Sequence, residues 1–196
     1  EVGYRKQPLV VEKWADWLRR NFPEETARQE AAAAAEMDQL KSLLAKATWD
    51  GGDADRGRKI FEARSCAQCH GGRQALGPDL SGVASRFSRE DLFAAIVVPD
   101  RDVSPRYQTT MIQTRDGKTF TGRVIYEAVD GIILRNAANQ TFRIEPAEIE
   151  DRRALTTSLM PSGLLKGISP SDMADLYAYL RSLTNGVVAS STRGAE

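Results

Sequence analysis

The sequence predicts a mainly α-helical chain that carries a β-rich insertion, with further helices at its N-terminus. Three observations point there. Apolar residues recur at helical spacing up to about residue 98 and again after residue 169. Between Tyr107 and Ile149 the text turns into short alternating runs parted by Asp116-Gly117 and Asp130-Gly131, the signature of hairpins. The composition is that of an ordinary globular chain, 41% hydrophobic and 28% charged, and its 196 residues suffice for one domain or two small ones.

The elements can be justified in order. Val10, Val11, Trp14, Trp17 and Leu18 form a stripe with Glu12, Lys13, Asp16, Arg19 and Arg20 opposite, an amphipathic helix. Pro23 ends it and suits the first turn of a second helix, where Glu24 and Glu25 complement the N-terminal dipole. That helix runs through Ala31 to Ala35 and on to Met37, Leu40, Leu43 and Leu44. Alanine favours helix but buries little area, so the stretch reads as a packed linker or brace.

Trp49 to Asp53 breaks the pattern, and Asp53 or Asp55 caps a helix with Ile60 and Phe61 on its buried side. A glycine-rich loop follows (Gly71, Gly72, Gly77). Another helix spans Ser88 to Val98, turning Leu92, Phe93, Ile96 and Val97 inward, until Pro99 stops it. Strands are expected at Thr109–Thr114, Thr119–Tyr126, Ile132–Arg135 and Thr141–Ile144, with Phe120, Gly122, Val124 and Tyr126 alternating, as a small antiparallel meander or barrel. Ser169-Pro170-Ser171-Asp172 is a capping box opening a helix whose stripe is Met173, Leu176, Tyr177 and Leu180. The tail after Asn185-Gly186 is small and polar and expected to fray. The expected divisions are an N-terminal helical segment 1–50, a body 51–185 interrupted by the β-rich stretch 103–157, and a flexible tail 186–196.

The chemistry concentrates in Cys66-Ala67-Gln68-Cys69-His70. This C-x-x-C-H run is the attachment signature of a c-type haem, the thiols adding to the porphyrin vinyl groups and the imidazole ligating iron. The chain holds two cysteines and one histidine in all, so neither a disulfide nor a second imidazole competes. A thioredoxin-like C-x-x-C would need a βαβ context. A structural zinc site would be one ligand short. One covalently bound haem c is therefore expected.

The sixth ligand must come from elsewhere. Met37 lies on an N-terminal helix, Met173 in the apolar stripe and Met111 in a strand. Met160 sits in Ser158-Leu159-Met160-Pro161-Ser162-Gly163, a proline-braced loop before the last helix, and is the favoured thioether.

The run Gly52 to Phe61, then C-x-x-C-H, then Gly77-Pro78-Asp79-Leu80, then the methionine-proline loop, then Leu176 to Leu180, resembles a class I cytochrome c. More narrowly, residues 53–183 resemble the planctomycete-type haem-binding domain, a C-terminal module of large exported proteins; Ser158 to Pro161 with Gly163-Leu164-Leu165, and Asp116-Gly117 with Gly122, carry that likeness. The resemblance implies a cytochrome c-like helical haem domain over 51–185, attachment at Cys66 and Cys69, and axial ligation by His70 and Met160. It also implies that the Pro78 region packs beside the His70 ring, a backbone carbonyl there orienting the imidazole. Leu80, Phe61 and Leu92 would wall the porphyrin; Arg86 and Tyr107 are candidate partners for its propionates, the alternatives being a solvated arginine and a core tyrosine. The β-rich stretch departs from an ordinary class I domain and reads as an insertion into that frame.

The function expected is outer-sphere electron transfer by a monohaem module, without catalysis of its own, exchanging electrons with a redox partner protein or an attached oxidoreductase domain. The alternatives are a haem enzyme or gas sensor with a labile sixth site, for which only carboxylates such as Glu90 or Glu145 could act distally, and a binding module with structural haem. Balanced charge, 27 basic against 27 acidic residues, speaks against nucleic acid. No apolar run is long enough to span a bilayer. Glu1-Val2-Gly3-Tyr4 does not read as a signal peptide, yet haem c is attached outside the cytoplasm. The expectation is a periplasmic or otherwise exported protein, this chain being its mature form or a segment of it.

Overall fold

The structure is a computed structural model that describes residues 16–71 and 75–183. Val10, Val11, Trp14 and Gly72 lie outside the described residues, as does the expected tail 186–196. The backbone divides into two units, residues 1–39 and 40–196.

In the first unit α1 (residues 16–21) leads into α2 (Pro23–Lys46), which continues into the second. Pro23 opens α2, with Glu24 and Glu25 in its first turn. Arg19 pairs with Asp16 and Glu30, exposed contacts that contribute little. Leu40 is the buried residue of α2. The alanine run remains largely exposed, as its small side chains allow.

The second unit is framed by α3 (Ala54–Ala63) and α7 (Pro170–Ser182), which pack against each other along their lengths. Each begins on a cap written into the sequence: Asp53 accepts from the Arg56 N–H at 2.8 Å, and Ser169 forms a capping box with Asp172. The helices approach closely because Gly57 has no side chain; a Cβ there would collide with the Asp175 carbonyl and with Tyr179. The Phe61 and Tyr179 rings meet with centroids 5.2 Å apart.

Asp175, inside this crossing and only 4% exposed, accepts from the Arg56 guanidinium at 2.7 and 2.8 Å and from the Asp53 N–H at 2.7 Å. The Arg56 hydrogen bond holds the Asp175 carboxyl below its ordinary pKa, against the opposing pull of burial. Between the two helices in sequence lie three shorter ones: α4 (Cys66–His70), α5 (Val83–Arg86) and α6 (Arg89–Val97). α6 starts on the Ser88 cap and buries Leu92, Phe93 and Ala94. Phe93, Trp49 and Tyr177 gather as an aromatic cluster.

The β segment forms one antiparallel sheet from β1 (Gln108–Thr114), β2 (Thr119–Ala128), β3 (Gly131–Arg135), β4 (Thr141–Ile144) and β5 (Ile149–Ser158). The order is β4-β3-β2-β1-β5, so the first four strands are a meander and the last returns to the far edge beside β1. Ile112, Ile132, Leu134 and Ile144 make its core, with Phe120, Val124, Phe142 and Ile149 packed around them.

Three expectations need correction. The sheet is open, not a barrel: β4 and β5 occupy opposite edges. β5 was not expected, because its text, Ile-Glu-Asp-Arg-Arg-Ala-Leu-Thr-Thr-Ser, has charged side chains on both faces; pairing with β1 creates it. Tyr126 does not continue the inward row of Phe120, Gly122 and Val124. A bulge between Val124 and Tyr126 shifts the pairing with β3 by one residue, leaving Ile125 and Tyr126 both exposed. Among the described residues, no helix is long and apolar enough to cross a membrane.

Candidate functional site

The site is built on α4 and the loop that returns beneath it. Ser65, with φ at +61°, takes a left-handed conformation between α3 and α4. That conformation costs an L-residue about 1 kcal/mol and turns the chain sharply. The following residues are helical, so Cys66 and Cys69 stand at i and i+3 on one face. Both thiols are partly buried, and that burial pushes their pKa values up. The Cys66 Sγ lies 3.8 Å from the Arg64 carbonyl.

His70 closes the helix. The returning loop is tied to it by the Gly77 N–H, which donates to the Cys69 carbonyl at 2.8 Å. Gly77 lies flat against the imidazole: a Cβ there would come within 2.7 Å of Cε1 and 2.8 Å of Nδ1. The next residue places the Pro78 carbonyl 2.9 Å from Nδ1. A carbonyl can only accept, so Nδ1 carries the proton and donates, leaving the Nε2 lone pair for a metal. Burial lowers the pKa of the ring, with the Pro78 hydrogen bond acting in the opposite sense, and a neutral imidazole is what ligation requires.

Five residues thus come together within one turn and its return loop: Cys66, Cys69, His70, Gly77 and Pro78. Leu80 is half-buried just beyond them. Arg86 is exposed, its guanidinium 3.4 Å from the Asp79 carbonyl. Phe61 and Leu92 are buried in the helical frame. Met160 lies on a separate segment, the loop after β5, and is half-buried. Its N–H donates to the Ser158 hydroxyl at 3.0 Å, and the Ser158 N–H donates to the Asp100 carboxylate at 2.7 Å. Of the other methionines, Met173 is fully buried in α7, while Met111 on β1 and Met37 on α2 are half-buried.

The structure adds Arg123, which sequence reasoning missed. From β2 its guanidinium donates to the Leu76 carbonyl at 2.6 Å and, more weakly, to the Ala75 carbonyl at 3.4 Å, stacked 4.8 Å over the Tyr107 ring. Nothing in the neighbouring text marks it, because the carbonyls it binds lie more than forty residues earlier in the chain. Asp100 was missed for the same reason.

The donor set fits a covalently attached haem. It offers two thiols on one helical face, an imidazole whose Nε2 is left free by its own hydrogen bond, and a flat glycine where any side chain would displace the ring. Among the described residues, no cluster of three or more His, Cys, Asp or Glu offers an alternative metal site.

A mainly helical frame with paired thiols and an oriented imidazole on a short helix defines a c-type haem protein. The chain belongs to the cytochrome c family, whose model matches residues 54–184, from the start of α3 past the end of α7. A cytochrome c-553-like protein of Synechocystis sp. is 41% identical over 59 residues. Those residues make up 29% of this chain and 55% of that protein, so the match spans about half the relative's length. The prosthetic group of the family is haem c, covalently bound, and the chain is a haem electron-transfer module.

Proposed function

We propose that this module carries one electron at a time with its haem held between His70 and Met160, within a larger exported oxidoreductase of the planctomycete type. The observation that carries the reading is the His70 constellation: Nδ1 committed to the Pro78 carbonyl at 2.9 Å, Gly77 against the ring, and both thiols on the same short helix.

When bound, haem c supplies a reversible one-electron couple. The residues of the chain prepare that couple. Cys66 and Cys69 tether the group, and the 66–70 helix fixes their spacing. His70 presents Nε2, and the proton on Nδ1 stays engaged with Pro78, so the imidazole keeps one tautomer and one orientation in both oxidation states. The Met160 loop is braced at two points, through Ser158 and Asp100, which favours a thioether held still over one that comes and goes. A soft sulfur ligand favours the reduced state and raises the potential. Leu80, Phe61 and Leu92 supply apolar walls, and Arg86 and Tyr107 stand as candidates for the propionates. Two braced ligands and little rearrangement between oxidation states suit outer-sphere transfer. The β-rich stretch 103–157 is read as an insertion into the cytochrome c frame. The redox partner is a protein or an attached domain, outside the cytoplasm where haem c is assembled.

The test is the absorption spectrum and potential of protein matured in a host that attaches haem c. The wild type is expected to show a low-spin ferric spectrum with a far-red sulfur-to-iron band. Met160→Ala is expected to lose that band and lower the midpoint potential. A high-spin ferric wild type would overturn the reading.

A further inference from the structure

Arg123 is an odd residue to find where it is. Its Nε is buried and has no hydrogen-bond partner among the described residues. Nor does any described carboxylate pair with it. What surrounds the guanidinium is the face of Tyr107 and two backbone carbonyls, those of Ala75 and Leu76. Arg123 is half-buried, and its Nε is an uncompensated buried donor that an apolar side chain would not bring. What arginine adds is a rigid fork of donors held at a fixed place.

The carbonyls it holds belong to the proximal loop. Leu76 precedes Gly77, whose backbone lies against the His70 ring and whose N–H bonds the Cys69 carbonyl. Pro78 follows, and its carbonyl takes the Nδ1 proton of His70 at 2.9 Å. A short, charge-assisted bond of 2.6 Å to Leu76 therefore anchors the peptide immediately before the two residues that set the imidazole plane. The anchor comes from β2, the central strand of the sheet.

We propose that Arg123 is a positioning residue for the axial imidazole, through which the sheet fixes the orientation of His70 at the iron. The proposal rests on His70 being an axial ligand as read above. It gives the β segment a role in the electronic structure of the haem, beyond occupying space beside it.

The experiment uses the holoprotein and its Arg123→Met and Arg123→Lys variants. Two readouts are taken on each: the spread of the ferric haem methyl resonances, which follows the imidazole plane, and amide exchange at Gly77. Arg123→Met keeps the unbranched apolar stem as far as the Nε position and removes every donor. It is expected to change the methyl spread and to raise Gly77 exchange about tenfold, the effect of losing one charged hydrogen bond. Arg123→Lys can reach one carbonyl and is expected to fall between Met and wild type on both readouts.

If Arg123→Met only lowers the melting temperature, with methyl spread and Gly77 exchange unchanged, Arg123 is a structural brace and the proposal is wrong. An equal effect of Lys and Met on both readouts also overturns it, because a donor would then not be what matters. The wild-type spectrum separates this from the wider reading. A wild type lacking imidazole ligation would sink that reading, while the Gly77 exchange ratio would still show whether Arg123 holds the loop.

Discussion

The helical frame and the sheet of this protein are held together by different physics. The α3–α7 crossing depends on backbones brought close at Gly57 and on one buried carboxylate, Asp175, that binds Arg56 and the Asp53 amide. The sheet depends on side chains: Ile112, Leu134 and Ile144 are almost wholly buried in a cluster of their own, and its ion pairs, such as Arg152–Glu127, lie at the surface. The lesson is that the part carrying the haem motif is specified by a few exacting contacts, and the β segment by bulk burial. The first should be sensitive to small changes of shape and to acid. The second should be sensitive mainly to lost volume.

The largest expected effect breaks the crossing. Gly57→Val puts branched carbon where the Asp175 backbone and Tyr179 already sit, and neither can yield. The variant is expected to accumulate little folded holoprotein, measured as haem-containing material per total protein. Folded yield equal to wild type would show that the crossing is more forgiving than its geometry.

Next comes the sheet. Leu134→Ala removes a fully buried side chain and is expected to cost about 3 kcal/mol in urea unfolding. The loss should be nearly constant between neutral pH and pH 4, because no carboxylate takes part in that cluster.

Asp175→Ala sharpens the contrast with the smallest loss. Leaving the Asp53 N–H without its acceptor is expected to cost about 1–2 kcal/mol at neutral pH; the Arg56 end, well exposed, adds little. Its pH dependence is more telling. The native carboxyl titrates below its ordinary pKa, so the stability it contributes is complete above the ordinary carboxylate range and is lost as pH falls through the lowered native value. Wild type should therefore lose stability in acid more steeply than Asp175→Ala. Parallel curves would assign the acid sensitivity elsewhere.

Legibility in the sequence followed the same division. The Ser169 cap was readable, and the first cap was narrowed to Asp53 or Asp55, because a capping contact spans three residues; the structure chose Asp53. The burial of Met173, Leu176 and Leu180 was readable because helical periodicity repeats along one element. Four strands were readable from alternation and turns, while β5 was not, since a polar edge strand exists only by virtue of its neighbour. The bulge at Ile125 was also invisible; it inverts the exposure of residues whose alternation looks regular.

The sequence by itself carried the haem reading of this protein. C-x-x-C-H is a local run lying on one short helix, so the proposed roles of its thiols and imidazole could be read without any distant residue. The placing of Pro78 beside the histidine came from the family resemblance and not from the residues alone. The tertiary structure decided that the carbonyl orienting His70 is that of Pro78 and that it faces Nδ1, which fixes the tautomer. It alone joined Asp175 to Arg56, and brought Arg123 from the sheet to the Leu76 carbonyl. The reason is range. Helical turns, caps and attachment motifs are local and leave local patterns, whereas a hydrogen bond between segments dozens of residues apart leaves no mark in the text of either one.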